Sequence, residues 1–183
     1  MGVVPKHIQE EFKKGVASDT GVKIDLACGD IKQPGFIGID IAPSQYVDVV
    51  LDLEKTPYPI PSECASMLLA SHIVEHIKPW LMIDIMNEWW RLLKVGGQLL
   101  IATPYAGSPQ FWQDPTHIKG WNEATPEYFD PFAPMSKGGL YHVYRAKPWK
   151  IIKNVWDLTG TLEILMEKRP DDPSYHEVKL MKR

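Results

Sequence analysis

At 183 residues, with 44% hydrophobic and 23% charged side chains, the chain has enough apolar material for one domain with a full core. A formal net charge of −3 weighs against a nucleic-acid backbone as main partner, and two cysteines are too few for a disulfide framework or a zinc ribbon. No apolar run approaches the roughly 18 residues of a membrane span, and Lys6, Glu10, Glu11, Lys13 and Lys14 interrupt any signal-peptide core, so the expected setting is cytoplasmic, away from membranes. Composition gives no oligomeric state.

Ile8, Phe12 and Val16 recur every four residues, which predicts an amphipathic helix over 5–17. Ser18 to Gly21 reads as a turn. Two apolar runs follow, Val22–Ala27 and Phe36–Ile41, and both read as buried strands. The link from Gly29 to Phe36 is short for a parallel crossover, which generally takes about 10–12 residues; a single helical turn is expected to make it. Val47–Leu51 is a third strand, Pro57–Pro61 a rigid connection and Met67–Ala70 a fourth strand. Leu81, Ile85, Trp89 and Leu92 share one face of a helix predicted over 79–94, with Gly96-Gly97 as its C-cap. Gln98–Thr103 is a fifth strand, and Ile151–Val155 and Leu162–Met166 are two closing strands.

Between them, residues 105–149 hold ten of the 19 aromatic residues together with six prolines, too aromatic for a linker. This stretch is expected to be a lid inserted before the last two strands, with a helix starting at Thr125-Pro126-Glu127. The whole reads as one domain, 1–183: an α/β fold with a seven-stranded, mostly parallel sheet and helices on both faces.

The first strand runs into Ala27-Cys28-Gly29-Asp30 and the second ends on Asp40. A glycine-bearing turn beside a carboxylate at the next strand tip suits a nucleoside, because the acid takes the ribose hydroxyls at the carboxyl edge of the sheet. IDLACG, Asp40, the pair Asp52-Leu53, SHIVEHI from Ser71 to Ile77 and RLLKVGGQLLIATP from Arg91 to Pro104 together resemble a class I S-adenosylmethionine-dependent methyltransferase, nearest to the "methyltransferase type 11" group. The resemblance covers about 20–104.

It implies a fold, a cofactor and roles. S-adenosylmethionine would be the methyl donor. Asp25 and the backbone of Ala27, Cys28 and Gly29 would face its methionine part. Asp40 would hold the ribose with Ile41 against the adenine, and Asp52 would accept from the adenine amino group with Leu53 beside the ring. Ser71 and His72 would lie near the sulfonium and the acceptor. The chain departs from the family at its glycine triplet, which appears as Ala27, Gly29 and Ile31.

A small-molecule acceptor is expected, at an oxygen or a nitrogen. His117 is a candidate base within Gln113-Asp114-Pro115-Thr116-His117, with Asp114 to orient its imidazole; otherwise it ties down the loop. His72 competes with it for the role. No metal ligands are assigned on this reading. Two alternatives stand beside it. His72-Ile73-Val74-Glu75-His76 matches the H-x-x-E-H of a class of zinc peptidases, with two metal ligands, a general base and Glu88, Asp114 or His117 open as a third ligand, which would make the chain a zinc-dependent hydrolase. The same fold could also serve as a non-catalytic nucleoside-binding partner subunit.

Overall fold

The computed structural model describes residues 3–134 and 140–176. The aliphatic runs pair into one seven-stranded sheet, in the order β3-β2-β1-β4-β5-β7-β6. Strands β1 (Val22–Leu26), β2 (Ile37–Asp40), β3 (Val49–Val50), β4 (Ala65–Ser71) and β5 (Leu93–Pro104) run parallel. Strands β6 (Trp149–Trp156) and β7 (Thr161–Lys168) form a hairpin, and β7 pairs antiparallel with β5. The order turns at β1, with β2 on one side and β4 on the other, and such a switch leaves a crevice beyond the carboxyl ends of the strands.

Helix α1 (Lys6–Ala17) forms where its periodicity placed it, but with a different stripe. Ile8 and Phe12 are buried as expected, whereas Val16 is 45% exposed. The true stripe is 8, 12 and 15, following the 3.6-residue period rather than a strict step of four. Gly15 lets the last turn close onto the sheet: a Cβ there would stand 2.5 Å from the Cys64 carbonyl.

Helix α2 (Met82–Leu92) follows a single 3₁₀ turn, Pro79–Leu81, and buries Ile85, Met86, Trp89 and Leu92. It stops short of the predicted end. Leu93 is already extended, at φ −76° and ψ 147°, and Gly96-Gly97 lie inside β5 instead of capping the helix. Ala65 pairs with Leu93 and Met67 with Gln98, so β5 carries several extra residues against β4 there. Gly96, at φ +80°, turns that bulge, a conformation that side chains with a Cβ rarely adopt.

The crossing from β1 to β2 contains no helical turn, contrary to expectation, yet the strands pair in parallel, Ile24 with Ile37 and Leu26 with Ile39. Side-chain acceptors replace the helical hydrogen bonds. Asp25 Oδ2 accepts from the Gln33 amide at 2.9 Å, and Asp48 Oδ2 accepts from Lys32 Nζ at 2.6 Å and the Gly38 amide at 2.7 Å. A loop fastened this way satisfies its backbone without repeating structure.

The 105–149 insertion falls between β5 and β6. It holds α3 (Pro109–Gln113), a 3₁₀ turn at Thr125–Phe129 and α4 (Leu140–Tyr144). Thr125 does not cap that turn; Asn122 Oδ1 accepts from the Ala124 and Thr125 amides ahead of it. Trp121, Phe129, Tyr141 and Trp149 join the central core with Ile24, Leu68 and Ile101. The polar tail beyond Pro170 is described through a 3₁₀ turn at Pro173–His176, and 177–183 lie outside the described residues.

Candidate functional site

The β1 and β2 tips meet as predicted. Asp40 Oδ2 accepts from the Gly29 amide and Oδ1 from the Ala42 amide, each at 2.9 Å. Two backbone donors thus fix the carboxylate, and each oxygen keeps a lone pair for a further donor. Asp40 lines a cleft of about 540 Å³ together with Ala27, Ile41, Asp52, Leu53 and His76. Five of the predicted cofactor residues therefore share one cavity. Ile41 is 66% exposed beside it, an apolar surface open to a planar ring.

The cleft wall beyond β3, next to Asp40, is held by charge. Asp52 Oδ1 accepts from the Glu54 amide at 3.0 Å, and Oδ2 pairs with Lys55 at 3.0 Å. Burial pushes the Asp52 pKa up, but the hydrogen bonds from Lys55 and the Glu54 amide outweigh it and hold the carboxyl below its ordinary value. Glu54 behaves alike, with Lys78 donating to it from both side chain and backbone. Glu54 and Lys78 line the cleft and were not singled out from sequence; they lie 24 residues apart, and no local pattern joins them. Leu53 is fixed from behind. Its carbonyl accepts the Tyr58 hydroxyl at 2.7 Å, and the Tyr58 amide donates to buried Glu88 of α2 at 2.6 Å.

Of the residues expected at the methionine end, Asp25, Cys28 and Gly29 are otherwise engaged, while Ala27 lines the cleft. Asp25 is 3% exposed and holds the crossing loop; burial raises its pKa. The Cys28 amide donates to the Ile39 carbonyl at 3.0 Å, and the Gly29 amide is taken by Asp40. The Cys28 and Gly29 carbonyls accept from the Ile31 amide and the Ser44 hydroxyl, both at 3.2 Å. Burial pushes the Cys28 thiol up to about 11, so it is no nucleophile near neutral pH.

A second group of side chains gathers where β4 and β5 end. Ser71 is the last residue of β4, and the His72 amide donates to the Ala102 carbonyl at 2.7 Å. The stretch 72–76 is not helical, so His72 and His76 do not share the helical face that the zinc-peptidase reading needs. Glu75 is fully buried and accepts the Thr103 hydroxyl at 2.9 Å. The Ile118 and Lys119 amides donate to the Glu75 carbonyl at 2.9 and 3.2 Å, which docks the loop after α3 beside this stretch. His117 thereby meets His76 edge-to-face, with ring centroids 4.8 Å apart, and the loop reaches the cleft wall through Ile118.

The orienting partner of His117 differs from the expected one. Its Nδ1 lies 2.7 Å from the Phe111 carbonyl, while Asp114 Oδ2 is 3.8 Å from Nε2, too far for a hydrogen bond. Asp114 instead accepts the Thr116 amide and hydroxyl through Oδ1, at 2.8 and 2.7 Å. A carbonyl can only accept, so Nδ1 carries the proton and the neutral ring keeps a lone pair at Nε2.

Solved structures repeat this architecture. A SAM-dependent methyltransferase from Archaeoglobus fulgidus superposes with a TM-score of 0.55 at 15% identity, over 89% of this chain and 94% of that one. N-methyltransferase NodS from Bradyrhizobium japonicum WM9, in complex with S-adenosyl-L-homocysteine, gives 0.53 at 9% identity, over 89% and 86%. The chain has the class I S-adenosylmethionine-dependent methyltransferase fold. The [4+2]-cyclase SpnF shares it, at a TM-score of 0.51 and 14% identity over 89% of this chain and 81% of that one. Sequence comparison finds no matching family model and no matching curated relative. In this methyltransferase fold, Asp40 ends β2 and Asp52 follows β3 at the carboxyl edge. No helix among the described residues is long and apolar enough to cross a membrane.

Proposed function

We propose that the chain transfers a methyl group from S-adenosylmethionine to a small-molecule acceptor. The Asp40 carboxylate carries this reading: it is held by two amides in a cleft walled by Ile41 and Leu53. Its free lone pairs suit the two hydroxyls of a ribose, and the apolar wall suits an adenine. Asp52, half-buried just beyond β3, accepts the adenine amino group.

The donor brings its own activation, since a sulfonium is a good leaving group. The protein has to hold the acceptor in line with the methyl carbon and exclude water. The acceptor lone pair forms the new bond to carbon, and the breaking S–C pair returns to sulfur. Ser71, His72, His76 and His117 stand at the acceptor end, where the unprotonated Nε2 of neutral His117 can take a proton and His72 offers a second base. A small acceptor fits a chain with one central core and a formal net charge of −3.

Calorimetry of the intact chain with S-adenosylhomocysteine tests the cofactor. One site of micromolar affinity is expected, and the absence of binding overturns the reading. Incubation with methyl-labelled S-adenosylmethionine and a metabolite extract, read by mass spectrometry, identifies the acceptor. Bound cofactor with no labelled product would favour the non-catalytic partner subunit.

A further inference from the structure

The loop after β4 holds a carboxylate oxygen that nothing inside the cleft explains. Glu75 is fully buried and its Oε2 accepts from Thr103, but its Oε1 receives no hydrogen bond. His72 Nδ1 stands 3.3 Å from that oxygen on a side chain 56% exposed, without hydrogen-bond geometry. A carboxylate oxygen removed from water and given no donor is costly unless a cation answers it.

Two imidazoles beside it are set to help hold such a cation. The His117 Nδ1–H donates to the Phe111 carbonyl. His76 Nδ1 faces the Thr116 carbonyl at 3.3 Å and the Thr116 hydroxyl oxygen at 3.1 Å, and that hydroxyl gives its own proton to Asp114. Both rings are thereby fixed as the Nδ1–H tautomer with the Nε2 lone pair free. A backbone carbonyl or hydroxyl on the distal nitrogen is the usual support of a metal-bound histidine. One donor atom from each of Glu75, His76 and His117 lies within 4.8 Å of the others.

We propose that Glu75, His76 and His117 bind one divalent transition-metal ion of the zinc, cobalt or manganese type, whose remaining position takes the oxygen of a hydroxyl-bearing methyl acceptor. Two nitrogens and one carboxylate, with an open position, match the donor sets of catalytic metal sites. Bonds of about 2.1 Å put tetrahedral neighbours roughly 3.4 Å apart, so loading draws the three side chains inward. The set differs from that of the zinc peptidases, because His117 from the docked loop replaces His72.

The acceptor half of the proposal rests on the methyl-transfer reading; the metal half does not. The cleft is lined by His76 and by Ile118, the neighbour of His117, so the ion lies on the wall of the cofactor cavity. A hydroxyl bound to such an ion is more acidic than in water. With the His117 lone pair engaged, the hydroxyl proton passes to solvent water. The alkoxide pair then forms the C–O bond as the S–CH₃ bond breaks, and that bond's electron pair stays on sulfur, which becomes a neutral thioether.

The test is a cobalt(II) titration of the intact, tag-free chain without cofactor, followed by visible absorption. One equivalent is expected to give the d–d bands of a low-coordinate site. Glu75→Gln, His76→Ala and His117→Ala should each weaken it at least about tenfold, while His72→Ala retains it. Circular dichroism checks that each variant folds; Gln can still accept from Thr103, and the two histidine variants decide if Glu75→Gln does not fold. Absence of bands, or bands indifferent to both histidine variants, overturns the site. Acetohydroxamate, an oxygen-donor probe, should shift the bands, and an unchanged spectrum overturns the open position. Calorimetry with S-adenosylhomocysteine on the same sample separates the two ideas: cofactor bound without cobalt removes the metal alone, and cobalt bound without cofactor removes the methyl-transfer reading.

Discussion

Asp40 closes the β1–β2 edge through two amides, and its outer lone pairs would hold the ribose on the methyl-transfer reading. Charge-assisted hydrogen bonds contribute about 1.5–3 kcal/mol each, and two ribose hydroxyls would depend on this group. Asp40→Ala should therefore weaken S-adenosylhomocysteine binding by well over tenfold in calorimetry, with the fold intact by circular dichroism because water can replace it at two surface amides. Unchanged affinity would remove the ribose assignment. In the loop docked beside the cleft, His117→Ala should lower turnover by about 10²–10⁴ and leave cofactor affinity nearly as it was, with His72→Ala measured alongside. Near-normal turnover, or joint loss of cofactor binding and thermal stability, would make His117 a loop anchor only. The thiols offer a third check. Burial pushes Cys28 and Cys64 each up to about 11, so neither should react with Ellman's reagent at pH 8 until the chain unfolds; rapid native reaction of either would contradict this burial.

At the scale of elements, α1 docking turns on one contact. Gly15→Ala would add about 1 kcal/mol of helix propensity, yet its Cβ would meet the Cys64 carbonyl at 2.5 Å and Val22 Cγ1 at 3.1 Å. Backbone cannot give way as a flexible side chain can, and overpacking of this kind costs about 1–3 kcal/mol. A lower melting temperature is expected despite the better helix former, and a rise would mean that α1 shifts freely on the sheet. The same element shows what the sequence could convey. The strands and the helical stripe were legible because aliphatic periodicity is local, and Asp40 beside Gly29 was legible because both sit at strand ends. Gly96-Gly97 read as a helix cap because that is the local habit of glycine, while the bulge they make depends on pairing with Ala65 and Met67 some 30 residues earlier. The meeting of Glu75 with His117 was hidden likewise, since it follows from Ile118 and Lys119 docking on Glu75. Asp114 looked like the partner of His117 by its spacing of three, and the Phe111 carbonyl, which no side-chain pattern announces, holds that place.

For the whole molecule, a ligand that binds only the folded state stabilises it by mass action. S-adenosylhomocysteine at 100 times its dissociation constant adds about 2.7 kcal/mol. A chain of this size shifts by about 2–4 °C per kcal/mol, so the melting temperature should rise by roughly 5–10 °C in differential scanning fluorimetry. Asp40→Ala at the same ligand concentration should show little of that rise, and a full rise in the variant would move the binding site elsewhere.

The helix-free crossing between β1 and β2 changes how binding free energy is divided along the cofactor. Where such a crossing is a helix, its N-terminus offers free amides and a partial positive charge to an anionic group. Here the Cys28 and Gly29 amides are already spent inside the protein, on Ile39 and Asp40, and no helix begins there. On the methyl-transfer reading, the amino-acid tail of S-adenosylmethionine would therefore gain little from this loop, and recognition would fall on its nucleoside half. Truncating the ligand makes that measurable: 5′-methylthioadenosine, which lacks the tail, should bind within about tenfold of S-adenosylhomocysteine, a difference under roughly 1.4 kcal/mol. A far larger loss would mean that the loop rearranges to grip the tail.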